Sequence, residues 1–154
     1  MTHLVFKRLQ KDNPDSGWAV VGFYSIAAKT IKLNKNTKLS SRMKKRVEKF
    51  SDAENDEDYY TFSAPLIGQL GKNYKDGLNR LASGKELLDL ALDTIVAAQN
   101  EIGGKLTYLE CEDNEKLISF YTNNGFAVFN KKINIDNKTG EKYCLVQLIK
   151  YMSE

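Results

Sequence analysis

The sequence is poor in several residues on which well-known chemistries depend. It has 1 histidine, 2 cysteines, 2 prolines and 1 tryptophan in 154 residues. The histidine is His3, near the start of the sequence. A Ser-His-Asp or Cys-His mechanism needs a held imidazole, and a histidine-rich zinc site needs several. Both are excluded on this count. A general acid or base must then be a carboxylate, a tyrosine, a lysine or water. Cys111 and Cys144 lie in apolar, strand-like surroundings without metal-ligand spacing, so two buried free thiols in a reducing compartment are expected. No run approaches the roughly 18 apolar residues that a bilayer span requires. Met1 to Arg8 has no apolar core of the signal-peptide kind. A cytoplasmic protein without membrane contact is expected.

The composition that remains is that of a globular protein. Hydrophobic residues make up 42% and charged residues 28%, with a net charge of +3. The length suits one domain, 1–154, with a core of useful size. The charge is unevenly spread. Residues 29–49 hold nine lysines or arginines against Glu48 alone, and residues 51–58 then hold five acids. Such blocks are ordinarily solvated faces and loops.

Hydrophobic periodicity orders the chain. Leu4 to Gln10 and Trp18 to Leu33 read as two strands around turn chemistry at 11–17, a hairpin. Leu39, Met43, Val47 and Phe50 recur at helical spacing, with Ser40 or Ser41 as N-cap and a basic outer face. Ser51 to Asp58 reads as an acidic loop. Tyr59 to Leu70 is a strand interrupted by Pro65, so pairing is expected mainly after the proline. Lys72 to Asn79 reads as a loop. Gly84 to Asn100 is the strongest helix, with Leu87, Leu88, Ala91, Leu92, Ile95 and Val96 on one face and Gly103-Gly104 ending it. Lys105 to Glu112 is a strand. Asp113 is expected to cap a helix reaching Asn124, stopped by Gly125. Strands at 126–130 and 143–150 follow, joined by a turn at 136–140. The order β-β-(α)-β-α-β-α-β-β predicts an α/β, strictly α+β, mixed sheet.

One segment carries a resemblance. Leu109 to Phe126 runs strand, N-capped helix with Phe120-Tyr121, then Gly125-Phe126 opening the next strand. This resembles the C-terminal acyl-CoA motif of the GNAT N-acetyltransferases. The resemblance implies acetyl-CoA as co-substrate, with Tyr121 beside the sulfur as general acid to the departing thiolate. A phenol with a pKa near 10 suits that task. The resemblance also implies Asn114 and Phe120 as cofactor contacts.

Two further segments fall where the family pattern would place donor contacts. Asn79 to Leu88 resembles the loop Gln/Arg-x-x-Gly-x-Gly/Ala, whose amides and following helix start hold the CoA pyrophosphate. Asn79 stands for the Gln/Arg and Ala82 for the first glycine; Gly84 is kept. The residues implied are Arg80, Ala82, Ser83, Gly84 and Lys85. Ala64 to Gly71 falls at the donor strand, whose free amides pair with the pantetheine arm, which implies Gln69, Leu70 and Gly71. The small Gly68 and Gly71 would allow close approach. Leu70 or Gly71 N–H would face the carbonyl oxygen.

Val21 to Ala27 looks like the matching strand of GNAT toxins that acetylate aminoacyl-tRNA. The acceptor implied is a primary amine, with aminoacyl-tRNA first. Glu112 or a water chain would take the amine's proton. GNAT domains ordinarily carry a strand and two helices ahead of the hairpin that begins here at Leu4. Either the chain is short there, or 34–58 replaces them, or a second subunit of a homodimer completes the wall. Two alternatives stand beside this reading: a non-catalytic acyl-CoA-binding or regulatory module, and a nucleic-acid-binding domain without acyl chemistry.

Overall fold

A computed structural model describes residues 1–52 and 56–153. The expected acidic loop at 51–58 therefore lies partly outside the described residues. Six strands form a mixed sheet in the order β1-β2-β3-β4-β6-β5. They are β1 (Thr2–Arg8), β2 (Trp18–Asn34), β3 (Tyr59–Lys72), β4 (Leu106–Glu112), β5 (Ala127–Ile135) and β6 (Lys142–Tyr151). The helices are α1 (Ser41–Lys49), α2 (Gly84–Ile102) and α3 (Glu115–Asn123). The element order is the one that the hydrophobic periodicity predicts.

The chain divides into two compact units, residues 1–27 with 67–102 and residues 28–66 with 103–154. In the first unit β1 and β2 form the expected antiparallel hairpin, with a register shift at Val5/Phe6. The first strand begins earlier than the sequence implied, at Thr2 rather than Leu4. Val21, Tyr24, Ile67, Ala82, Leu87, Leu88, Ala91 and Ile95 are buried here. The apolar stripe of α2 supplies half of them, as its period requires. A Cβ on Gly22 would sit 2.7 Å from Leu87 Cδ1 and 2.8 Å from the Gly71 carbonyl, so only glycine fits this crossing. Tyr24 and Thr94 join their hydroxyls at 2.9 Å. Gly103 and Gly104, at φ 85° and 97°, end α2 in the left-handed conformation that glycine tolerates.

In the second unit Ile31, Leu33, Leu39, Val47, Phe62, Ala64, Leu106, Tyr108, Phe129 and Ile149 form one core. Each of the isoleucine, leucine, valine and phenylalanine side chains contributes about 1.5–3 kcal/mol by leaving water. Helix α1 begins at its expected N-cap, where Ser40 Oγ accepts from Met43 N at 3.2 Å. Val47 faces the core, while Arg42, Lys45 and Lys49 face solvent. Strands β4 and β5 both pair antiparallel with β6.

Four expectations need correction. Strand β3 is continuous from Tyr59 through Pro65, and Phe62 and Ala64 ahead of the proline are buried. Proline removes only a donor, and its carbonyl still accepts from the Thr107 hydroxyl at 3.0 Å. The expected loop at 72–79 is instead the end of β3 followed by a 3-10 segment, Lys75–Arg80, broken at Asp76 (φ 52°) and Gly77 (φ 72°). Asn114, not Asp113, caps α3: its side-chain oxygen accepts from Lys116 N at 2.9 Å and Leu117 N at 3.3 Å. Asp113 is paired with Lys131 at 2.9 Å instead. Cys111 is buried as expected, but Cys144 is only half-buried; both are free thiols.

Candidate active site

In the second unit, β4 runs into the Asn114 cap and α3 carries Phe120 and Tyr121 toward its C-terminus. Gly125, at φ 86°, turns the chain so that Phe126 N donates to the Tyr121 carbonyl at 3.1 Å. Tyr121 is 9% exposed, and its ring lies edge-on to Phe120 and Phe126 at centroid distances of 5.1 and 5.8 Å. Burial pushes its phenol pKa up, and the neighbouring Cys111 adds to the shift. The phenol is therefore a proton carrier at neutral pH. Among the described residues its hydroxyl has no protein partner, and no fully buried side-chain polar atom is left unpaired. The oxygen is thus not fully buried.

The same strand carries a polar cluster that the sequence did not announce. Successive strand residues face opposite ways, so Tyr108 and Glu110 share the face away from Cys111. The Tyr108 hydroxyl donates to Glu110 Oε1. Gln147 on β6 donates from Nε2 to Tyr108 Oη at 2.8 Å and to Glu110 Oε1 at 2.9 Å. Asn130 on β5 donates to Gln147 Oε1 at 2.8 Å. Burial alone would raise the Glu110 pKa. The hydrogen bonds from Tyr108 and Gln147, with the charges of Lys29 and Lys132, outweigh it and leave the carboxyl below its usual value. Burial and the Glu110 charge push the Tyr108 phenol far up. Glu112, the carboxylate named from sequence, is exposed at the end of β4 and takes no part. The alternation Tyr108-x-Glu110 on an apolar strand was the available signal.

In the first unit the donor-loop residues are arranged differently from the expectation. Arg80 is exposed at the end of the 3-10 segment, and Ala82 is 4% exposed in the core. Ser83 and Glu86 form a reciprocal cap at the start of α2. Ser83 N donates to Glu86 Oε2 at 2.7 Å, and Glu86 N donates to Ser83 Oγ at 3.1 Å. Lys7 donates to Glu86 Oε1 at 2.7 Å and to the Leu81 carbonyl at 2.8 Å. Chiefly the Lys7 bond, then the Ser83 amide, holds the Glu86 carboxyl below its usual pKa. Lys85 is tied to Asp89 at 2.7 Å. A pyrophosphate would find the first-turn amides of Gly84 and Lys85, which have no intrahelical acceptor. It would also find a carboxylate already set across that helix start. The fit is partial. On β3, Gln69 is exposed while Leu70 and Gly71 are half-buried. The missing side chain of Gly71 accommodates the Phe23 ring, 2.8 Å from where a Cβ would lie.

This order of elements is that of the GNAT N-acetyltransferases: the chain has their fold. Among solved structures, the NatC complex bound to Gag peptide and CoA matches at a TM-score of 0.54 and 14% identity, covering 99% of this chain and 71% of that one. AtaT complexed with acetyl-methionyl-tRNAfMet matches at 0.52 and 17%, covering 92% and 69%. Naa20 of Chaetomium thermophilum, in complex with a bisubstrate analogue, matches at 0.51 and 16%; 91% of this chain spans 63% of that one. No protein-family model matches the sequence, and no curated protein matches it. Among the described residues no helix is long and apolar enough to cross a membrane, and no group of side chains has the make-up of a metal site.

Proposed function

We propose that the chain, acting as one domain over 1–154, transfers an acetyl group from acetyl-CoA to a primary amine in the cytoplasm. The observation that carries this reading is Tyr121, buried at the end of α3 against Phe120 and Phe126 with a hydroxyl that has no protein partner among the described residues. Tyr121 is held protonated by burial, and Glu110 is held ionised by its hydrogen bonds. At neutral pH the first can therefore give a proton and the second can accept one. Acetyl-CoA supplies the activated thioester. Glu110 takes a proton from the acceptor ammonium, freeing the lone pair that attacks. As the intermediate collapses, Tyr121 gives its proton to the departing thiolate, the amide nitrogen sheds its second proton to solvent, Glu110 releases the first one there, and Tyr121 regains one from the same source. Leu70 or Gly71 N–H is the resemblance's choice for the carbonyl oxygen. Gln69, Arg80, Ala82, Ser83, Gly84, Lys85, Asn114 and Phe120 are its choice for holding the donor.

Aminoacyl-tRNA leads among the acceptors. Lys38, Arg42, Lys45 and Lys49 are exposed on or beside α1, and phosphate contacts come from such residues. Steady-state kinetics of Tyr121→Phe test the reading. A fall in kcat of about 10²-fold with little change in KM for acetyl-CoA is expected. Unchanged kcat would remove Tyr121 as the acid. A second reading, a GNAT-fold module that transfers nothing, is favoured by the Glu86 carboxylate across the start of α2. Absence of acetyl-CoA binding by calorimetry would put that reading first.

A further inference from the structure

Beyond the polar cluster, the second unit contains a cavity of about 330 Å³ lined by Lys32, Asn34, Asn36, Thr37, Tyr59, Phe129 and Asn130. Its volume suits a small polar molecule or the end of a larger one. The lining is rich in donors and contains no carboxylate. Lys32 has no carboxylate partner among the described residues. The Thr37 hydroxyl is already committed, donating to the Phe129 carbonyl at 2.8 Å. Asn34 accepts from Asn36 N through Oδ1 at 2.8 Å, which leaves its amide NH₂ as a donor. Asn130 both lines the cavity and donates to Gln147, and Gln147 donates to Glu110. One carboxamide relay therefore links the cavity to the carboxylate.

We propose that this cavity seats an oxyanion, a carboxylate or phosphate, carried by the acceptor a short distance from its amine. An ammonium at Glu110 and an anion beside Lys32 would then hold the acceptor at both ends. Lys32, Asn34 and Asn130 are exposed, so the cavity is an open one in which the lysine acts as a surface cation and the selectivity comes from the combination of its charge with the amides. The asparagine amides add neutral donors with fixed direction. Basic polyamines and neutral amines gain nothing from this lining. The acceptor role rests on the acetyl-transfer reading; the anion seat itself does not.

The test has two arms. In the first, the full chain with acetyl-CoA is assayed with glycine, glycinamide, 2-aminoethyl phosphate and ethanolamine, each corrected to equal free amine. The anionic amines should show a KM about tenfold lower than their neutral partners. That preference should vanish in Lys32→Met, with KM for acetyl-CoA unchanged. The ratio of glycine to aminoethyl phosphate distinguishes a carboxylate seat from a phosphate seat. Equal KM values for anionic and neutral amines, or a preference intact in Lys32→Met, would overturn the acceptor role while leaving acetyl transfer standing. In the second arm, thermal stabilisation by acetate and by inorganic phosphate is compared among the wild type, Lys32→Met and Asn130→Asp. Both variants should lose it, the second by placing a carboxylate in the lining. Stabilisation equal in all three would overturn the seat itself. Anion binding that the variants abolish, in a protein that turns over no acceptor, would keep the seat and remove the acetyl-transfer reading.

Discussion

Replacing Gly22 by alanine tests the tightest crossing in the first unit. The added methyl would meet Leu87 Cδ1 at 2.7 Å, Leu87 Cδ2 at 2.9 Å and the Gly71 carbonyl oxygen at 2.8 Å. Relaxed carbon contacts lie near 3.5–4.0 Å. Leu87 is 1% exposed, so it can turn only against its packed neighbours. The carbonyl belongs to backbone and moves only with β3. Overpacking of this kind costs about 1–3 kcal/mol, and neither the packed leucine nor the backbone carbonyl yields easily, so the upper half of that range applies. Alanine also restricts the unfolded chain, which returns about 0.4–1 kcal/mol. The net loss should be about 2 kcal/mol, a fall in Tm of about 4–8 °C for a chain of this size. Urea denaturation should show a lower midpoint at unchanged m value. Gly77→Ala is the control, because at φ 72° it meets nothing within 4 Å. It isolates left-handed strain of about 1–2 kcal/mol without collision. In a Leu87→Ala background the cost of Gly22→Ala should shrink but not disappear, since the carbonyl contact remains. A wild-type midpoint for Gly22→Ala, or full recovery in that background, would refute the reasoning.

Three other outcomes follow from the same geometry. Because the Glu110 pKa is depressed, its stabilising effect is present above the ordinary value of 4.5 and is lost as pH falls through the lowered one. The stability gap between wild type and Glu110→Gln, measured in urea, should therefore narrow between neutral pH and about pH 3; a gap that widens would contradict the assigned hydrogen bonds. Glu86→Gln removes the charge across the start of α2. It should lower stability by about 0.3–1 kcal/mol while raising acetyl-CoA affinity in calorimetry, and unchanged or weaker affinity would show that the carboxylate does not compete with the donor. Asn114→Ala deletes the cap of α3 and should cost about 1 kcal/mol in chemical denaturation, whereas Asp113→Ala should cost less because its exposed pair with Lys131 is worth little.

Much of this architecture was written locally. Helix α2 has a reciprocal Ser83–Glu86 cap at one end and two glycines at the other, and both boundaries depend on neighbours within a few residues. Strand β2 was legible for the same reason. The choice between Asp113 and Asn114 was not, because both are good caps. Only the path of the strand decides which side chain turns back toward the helix and which turns toward Lys131. The Tyr108–Glu110–Gln147 cluster was hidden for a stronger reason. It depends on Glu110 standing opposite Gln147 in the β4–β6 register, across 37 residues of sequence. Glu112 looked equally suitable on paper and falls at the strand's open end. At Ser83 to Glu86 the local pattern was visible but served two readings. An anion-binding helix start and a self-capped one share the same residue types, and the Glu86 carboxylate favours the second.

Trp18, the 1 tryptophan, lies at the start of β2 with 62% of its surface exposed and the Arg8 guanidinium 5.2 Å from its ring centre. Its indole is already largely in water in the folded protein. Its fluorescence should therefore change little on global unfolding and should report the hairpin rather than the cores. Tyr24, Tyr108 and Tyr121 are the buried chromophores. Near-ultraviolet circular dichroism from those rings, two of them in the second unit, is the optical signal that will follow loss of packing around β4.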